Sequence, residues 1–302
     1  MFQEIKPLNT VVALEGSKAI LVCLKREDEI HPIVSGNKFR KLKYNIEAAK
    51  KENKKTLLTF GGAFSNHIAA VAEVGRLFNF KTIGVIRGEE LASKINENAT
   101  LKYAKDCGMV FKFVTRSHYR AKDSLVFTAL LKQEFGDFYC IPEGGTNALA
   151  VKGCEEILKE EDFNFNYICA SVGTGGTLAG LINGSKPSQK ILGFSALKGD
   201  FLKKDISKFA TQDNWELLSN YHFGGYAKIN KELIAFINNF KATNNIQLDP
   251  IYTGKMLFGI QDLIAKNYFP KGSKILVIHT GGLQGIAGIN ARLKHKNLPL
   301  IH

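Results

Sequence analysis

The sequence predicts an α/β fold built on open, mainly parallel, twisted sheets flanked by helices. Three observations predict it. Short apolar runs alternate with helix-length stretches along most of the 302 residues. The runs are apolar on consecutive residues, as in strands buried on both faces of a parallel sheet. No repeat and no low-complexity linker divides the chain, so a length that suits one large domain or two ordinary ones points to domains that share the chain discontinuously.

The elements follow in order. Residues 10–14 and 19–24, separated by Glu15-Gly16-Ser17-Lys18, form a predicted hairpin. Strands are predicted at 56–60, 81–86, 110–114, 138–141, 167–171, 191–195 and 274–279. Residues 66–78 form a predicted helix, with Ile68, Val71, Ala72 and Gly75 on one face. Further helices are predicted at 94–107, 122–134, 148–159, 231–241 and 255–265. Alternation of this kind implies right-handed crossovers in an α/β architecture. Residues 199–226 have no clear period, and Trp215 stands alone there.

Composition narrows the class. Apolar residues make up 45% and charged residues 23%, an ordinary globular balance. No apolar run approaches the ~18 residues of a membrane span, and the first eight residues carry no secretory pattern. Cys23, Cys107, Cys140, Cys154 and Cys169 are scattered, odd in number and without a CxxC pair. Reduced thiols, no metal framework and a cytoplasmic location are therefore expected. The net charge of +13 admits nucleic-acid binding or attraction of anionic metabolites. The lysines are spread along the chain with no basic stripe interleaved with aromatics, so no nucleic-acid partner is expected.

Three short runs carry chemistry. Gly173-Thr174-Gly175-Gly176-Thr177 follows a strand and opens a helix. Such a turn leaves backbone N–H groups free to point at an anion, with the helix dipole behind them and two threonine hydroxyls beside them. The spacing is not that of a dinucleotide loop and lacks the Lys-Ser/Thr of a P-loop; a phosphate monoester suits it better. Glycine needed only for the turn is the plain alternative. In Ser35-Gly36-Asn37-Lys38-Phe39-Arg40-Lys41-Leu42, the Gly-Asn turn can aim Lys38 inward as a helix begins, and Arg40 and Lys41 would lower its pKa by like-charge repulsion. In Phe60-Gly61-Gly62-Ala63-Phe64-Ser65-Asn66-His67, a strand-to-helix junction can hold a carboxylate, or Ser65 or Asn66 can simply cap the helix. A lysine, a polar clamp and a phosphate cradle are the parts that hold pyridoxal 5′-phosphate (PLP). Tyr226 and Tyr252 each stand beside turn residues, and a phenol acts as acid or base where a cation lowers its pKa.

Taken with Asp249-Pro250-Ile251-Tyr252-Thr253-Gly254-Lys255 and His279-Thr280-Gly281-Gly282, the runs resemble the 1-aminocyclopropane-1-carboxylate (ACC) deaminase and D-cysteine desulfhydrase family. The resemblance covers about residues 8–288 and is weakest over 88–134 and 199–221. It implies the tryptophan-synthase-β-like fold, fold type II of the PLP enzymes. The implied large domain joins residues 1–40 and 146–302, with a smaller domain inserted at 41–145. A homodimer is implied as well. By motif, Lys38 would be the Schiff-base lysine, Asn66 would lie against the cofactor's 3′-oxygen, and Ser65, with Asn66 and His67, would face the substrate. Residues Gly173 to Thr177 would hold the phosphate, and Tyr226 and Tyr252 would be the two active-site tyrosines.

The family's two activities differ beside the cofactor. Deaminases tend to carry Glu after the tyrosine of the Asp-Pro-x-Tyr run and Leu after the late His; desulfhydrases carry small hydroxyl residues at both. This chain has Thr253 and Thr280. A carboxylate would keep the pyridine nitrogen protonated for ring opening, whereas a neutral hydroxyl gives a weaker sink that serves β-elimination of a thiol. The expectation is therefore a PLP-dependent lyase, D-cysteine desulfhydrase, with ACC deaminase as the nearest alternative. A serine or O-acetylserine lyase of the same fold, or a non-catalytic anion- or nucleic-acid-binding protein, stands behind it. Two stretches depart from the family pattern: Arg87-Gly88-Glu89-Glu90, and Leu283-Gln284-Gly285-Ile286 after the last glycine pair.

Overall fold

The computed structural model describes residues 6–199 and 201–302. Ten strands make two sheets: β1 (Asn9–Val11), β2 (Leu21–Lys25), β3 (Thr56–Gly61), β4 (Lys81–Arg87), β5 (Val110–Val114), β6 (Tyr139–Ile141), β7 (Tyr167–Val172), β8 (Lys190–Ser195), β9 (Trp215–Leu218) and β10 (Lys274–Ile278). One sheet has the order β1-β2-β10-β7-β8-β9 and the other β5-β4-β3-β6. Every pairing is parallel except β1 with β2, the predicted hairpin.

Both sheets are covered on both faces, which is why their strands read as continuous apolar runs. In the six-stranded sheet, Cys169, Leu192 and Val277 pack with Ile237, Met256 and Ile260 on one face, while Ile168, Ile191 and Leu276 pack with Leu178 and Leu181 on the other. In the four-stranded sheet, Leu57 and Ile86 meet Leu42, Ile46, Ile68 and Val71. Its other face joins Phe60, Val85, Leu131 and Phe138.

The differences from expectation lie at helix ends, at one edge strand and at helices not predicted from the sequence, Arg116–Arg120, Phe201–Ser207 and Gly285–His295. The helix predicted over 94–107 is broken into a 3₁₀ stretch, Glu89–Glu97, and a helix, Ala99–Asp106. Asn98 restarts it, its side chain accepting from the Leu101 amide at 3.0 Å. The helix predicted over 148–159 stops at Glu155. Strand β9 and the short helix Phe201–Ser207 lie in the stretch without a period. All four residues of β9 are only half-buried at the sheet edge, so they lack the apolar run of the inner strands. The helix Asn37–Lys51 is continuous, so the chain crosses residues 40 and 41 inside it.

Candidate active site

A cavity of about 960 Å³ lies at the carboxyl ends of strands from both sheets, where open parallel sheets bind ligands. From the six-stranded sheet come Gly173, Thr174, Gly175 and Thr177 after β7, and Thr280 after β10. From the four-stranded sheet come Gly62, Ser65, Asn66 and His67 after β3, Arg87 at the end of β4, and Glu143 after β6.

Lys38 opens onto this cavity from the first turn of the helix Asn37–Lys51. The residue before the helix, Gly36, has φ +57°, and a Cβ there would lie 2.1 Å from the Thr280 carbonyl oxygen. Only glycine lets the Lys38 segment approach the end of β10 so closely. The Lys38 amine donates to Asn37 Oδ1 at 2.9 Å. Burial, and then the charge of Lys41, lower its pKa to about 7. Arg40 does not join in as the sequence suggested: its guanidinium is bound to Glu27 in a buried pair at 2.8 Å.

Lys41, one helical turn beyond Lys38, reaches the glycine loop instead. Its amine donates to the Gly144 carbonyl at 3.0 Å and to Thr146 Oγ1 at 2.9 Å, and it lies 3.4 Å from Thr174 Oγ1. Burial lowers its pKa to about 8. Sequence reasoning treated it only as a neighbouring charge; its i, i+3 spacing from Lys38 was the available signal. Gly175 begins the helix Gly176–Gly184 with φ +83°, so free amides of a helix N-terminus face the cavity beside Thr174 and Thr177. Asn37 Nδ2 donates to Thr177 Oγ1 at 2.8 Å. Gly176 stands behind the loop rather than on the cavity wall; a Cβ on it would lie 2.9 Å from Thr146 and 3.3 Å from the Lys41 amine.

Ser65 caps the helix Asn66–Phe78, its hydroxyl accepting from the Ile68 amide at 3.3 Å, and still lines the cavity. Capping therefore does not take Ser65 off the cavity wall. Asn66 Oδ1 is buried without a hydrogen-bond partner, which leaves an acceptor waiting for a donor. His67 pairs through Nε2 with Thr59 Oγ1 at 2.8 Å. Burial, with Lys38 and Lys41 nearby, holds its pKa well below the usual value and keeps the ring neutral.

Tyr226 and Tyr252 meet edge to face, their ring centroids 6.3 Å apart. A Cβ on Gly173 would lie 3.2 Å from the Tyr252 ring. The condition under which a phenol acts as a base, a pKa lowered by a cation, is not met at either tyrosine. Burial raises both, Tyr252 well above its ordinary value. They keep their protons at neutral pH, so in proton transfer they can serve as acids but not as bases.

The two threonines separate. Thr280 lines the cavity, its hydroxyl 3.4 Å from Ser171 Oγ. Thr253 does not line it. Its hydroxyl donates to Asp249 Oδ2 at 2.7 Å, and Asp249 also accepts the amides of Ile251, Tyr252 and Thr253 at 2.8–2.9 Å. Thr253 is thus consumed in starting its helix, and the expected contact with a cofactor is not what the structure holds.

A lysine with a depressed pKa, an orphaned amide oxygen that accepts, and a glycine cradle and buried amine that donate meet around one cavity. The family model described as "Pyridoxal-phosphate dependent enzyme" matches residues 4–281. The chain belongs to this family.

Its relatives are consistent with that. The bifunctional D-cysteine desulfhydrase/1-aminocyclopropane-1-carboxylate deaminase, mitochondrial, of Arabidopsis thaliana is 30% identical over 292 residues, 87% of this chain and 72% of the plant protein. The D-cysteine desulfhydrase of Klebsiella pneumoniae subsp. pneumoniae is 26% identical over 315 residues, 95% of this chain and 94% of the bacterial protein. Among solved structures, an ACC deaminase homologue superposes with a TM-score of 0.85 at 26% identity, covering 98% of this chain and 95% of its own. The PLP-dependent family, and an enzymatic role with it, are thereby established, and the residues present fit the cofactor. The cradle suits a phosphate, and Lys38 suits a carbonyl that must be met by an unprotonated amine. No helix among the described residues is long and apolar enough to cross a membrane.

Proposed function

We propose that this protein is a carbon–sulfur lyase that converts D-cysteine and water to pyruvate, hydrogen sulfide and ammonia. The observation that carries the reading is Thr280. It brings a neutral hydroxyl to the cavity from the end of β10, beside Ser171, while Thr253 is turned into the protein. A neutral partner for the pyridine nitrogen suits elimination of a good leaving group better than opening of a strained ring.

Bound PLP supplies the electron sink that lets the substrate's Cα–H bond ionise. In this reading Lys41, Thr174, Thr177 and the amides of residues 173–177 hold the phosphate. Asn66 orients the ring through its side-chain amide. Ser65 and the amides at the start of its helix hold the substrate carboxylate. Lys38 takes the α-proton, which an amine with a pKa of about 7 does readily at neutral pH. Tyr252 or Tyr226, both protonated, delivers a proton to the departing sulfur.

The same reading divides the chain at residues 1–40 and 146–302 around the six-stranded sheet and 41–145 around the other. It also has the protein work as a cytoplasmic homodimer. The five cysteines are all free, as a reducing compartment would leave them. ACC deaminase is the second reading, supported by the name of the plant relative.

The test is product analysis of the PLP-loaded protein with D-cysteine, L-cysteine and ACC in parallel. Sulfide and pyruvate from D-cysteine alone are expected. 2-Oxobutyrate from ACC would replace the first reading with the second.

A further inference from the structure

We propose that Arg87 forms a second anion subsite beside the substrate-carboxylate loop, so that the enzyme prefers amino acids whose side chain ends in an acidic group. The inference rests on the reading of the 62–66 loop given above.

Arg87 is the last residue of β4 and emerges, exposed, at the carboxyl edge of the four-stranded sheet. Strand β3, which carries the carboxylate loop, is its direct neighbour. A Cβ on Gly62, the first residue after β3, would lie 3.6 Å from Arg87 Nη2. The guanidinium therefore lies against that loop and lines the same cavity. Tyr119, buried behind it, faces the Arg87 Cζ at 5.6 Å from the ring centroid. Stacking of this kind fixes the plane of the fork and leaves its in-plane N–H groups for a ligand.

What distinguishes Arg87 is its lack of an acidic partner. Arg116 pairs with Glu90 at 3.2 Å, and Lys122 with Asp123 at 3.1 Å and Glu143 at 3.5 Å. Among the described residues, no hydrogen bond or ion pair engages Arg87. Its charge is nonetheless felt across the cavity. The Tyr226 phenol, raised by burial, is pulled back by Tyr252 and then by Arg87.

Because the Arg87 guanidinium borders the carboxylate loop, a side chain of a few carbons on an amino acid held by that loop can reach it. A bidentate arginine is the group that reads a carboxylate or similar anion at that distance. A neutral substrate leaves Arg87 in water at little cost, so the subsite ranks substrates without excluding D-cysteine.

The test is a titration of PLP-loaded protein with glutamate and with glutamine, each as both enantiomers, followed by the change in visible absorbance of the bound cofactor. For at least one enantiomer, glutamate is expected to bind roughly tenfold or more tightly than glutamine, the scale of one charge-assisted hydrogen bond. In Arg87→Gln that ratio falls toward one; in Arg87→Lys part of it survives. A wild-type protein with no preference overturns the proposal. So does a ratio that persists in Arg87→Gln: with both affinities unchanged another group makes the preference, and with both weakened equally Arg87 sits on the α-carboxylate common to the two ligands. Sulfide release from D-cysteine, measured on the same preparation, reports separately on the lyase reading.

Discussion

The Lys255 amine donates to the Gly225 carbonyl at 2.9 Å, and with a second bond of 2.9 Å to the His222 carbonyl it ties down the turn that presents Tyr226. That turn is strained: φ is +53° at Phe223, +89° at Gly224, +115° at Gly225 and +54° at Ala227. Non-glycine residues in this region cost about 1–2 kcal/mol each. Lys255, with 2% of its surface exposed, offsets that cost. Replacing it with methionine removes both of these bonds, while the His222 and Gly225 carbonyls keep only the amides of Gly225 and Lys228 at 3.0 and 3.2 Å, and stability should fall by about 1–3 kcal/mol. Turnover should fall more than substrate affinity, because Tyr226 loses its place while the carboxylate loop stays. Denaturation curves and a split of kcat against KM check this; a variant with normal kcat would show that the tether does not serve Tyr226.

The same lysine sets a pH trend. Burial lowers its pKa from the ordinary 10.5 to about 8. Between those two values the unfolded chain holds a proton that the folded chain has released, so stability rises with pH across that window. A neutral amine still has two N–H groups for its two carbonyls, so the tether survives deprotonation. The wild type should therefore gain on Lys255→Met as pH is raised from 8 toward 10. Equal pH profiles for the two proteins would contradict this.

Lys38 and Lys41 give a kinetic counterpart. In the proposed reading Lys38 captures the cofactor covalently, for which its amine must be unprotonated, and its pKa is about 7. The rate of capture by the cofactor-free protein should rise with pH, reach half its maximum near 7 and then level off. Lys41→Met removes the nearest positive charge, which favours the protonated Lys38 and moves the midpoint upward. Stopped-flow absorbance at saturating PLP reads both midpoints. An unmoved midpoint in Lys41→Met would leave burial as the sole cause.

Much of this was legible in the sequence for a simple reason. Inner strands such as β3 and β7 are buried on both faces, so their apolar runs are visible without neighbours, and Gly-Gly-x-x-Ser-Asn-His and Gly-Thr-Gly-Gly-Thr sit where those runs end. Edge strand β9 was not legible, because half-buried residues carry no such run. Within the site, the sequence could place Lys38 but not direct its neighbours. Arg40 turned to Glu27 and Lys41 to the glycine loop, choices made by partners 13 and more than 100 residues away along the chain. Thr253 and Thr280 looked equivalent in sequence and are not, because Asp249 captures the first hydroxyl.

Gly36 is the most exacting backbone position of the site. With φ +57° and ψ −136° it occupies a region that side chains do not adopt, and a Cβ would overlap the Thr280 carbonyl at 2.1 Å. Gly36→Ala must push the start of the Lys38 helix away from β10, at a cost of more than about 3 kcal/mol. Cofactor retention on gel filtration should be lost even where the variant remains folded by circular dichroism. Full retention would mean that the Lys38 segment can shift without harm.

The two threonines give the sharpest contrast. Thr280 faces the cavity, so Thr280→Val keeps the shape and removes only the hydroxyl. Its effect should be chemical: kcat falls by roughly tenfold to a hundredfold, the scale of one hydrogen bond lost at a reacting group, with little change in melting temperature. Thr253 is 1% exposed and bonded to Asp249. Thr253→Val leaves the Asp249 carboxylate short of a donor and should cost about 1–3 kcal/mol of stability, with kcat nearly intact in the fraction that folds. Measuring kcat and melting temperature for both variants assigns the roles. If Thr253→Val lost turnover and Thr280→Val lost only stability, the hydroxyl that tunes the cofactor would be the other one, and the case for β-elimination would have to be rebuilt on Thr253.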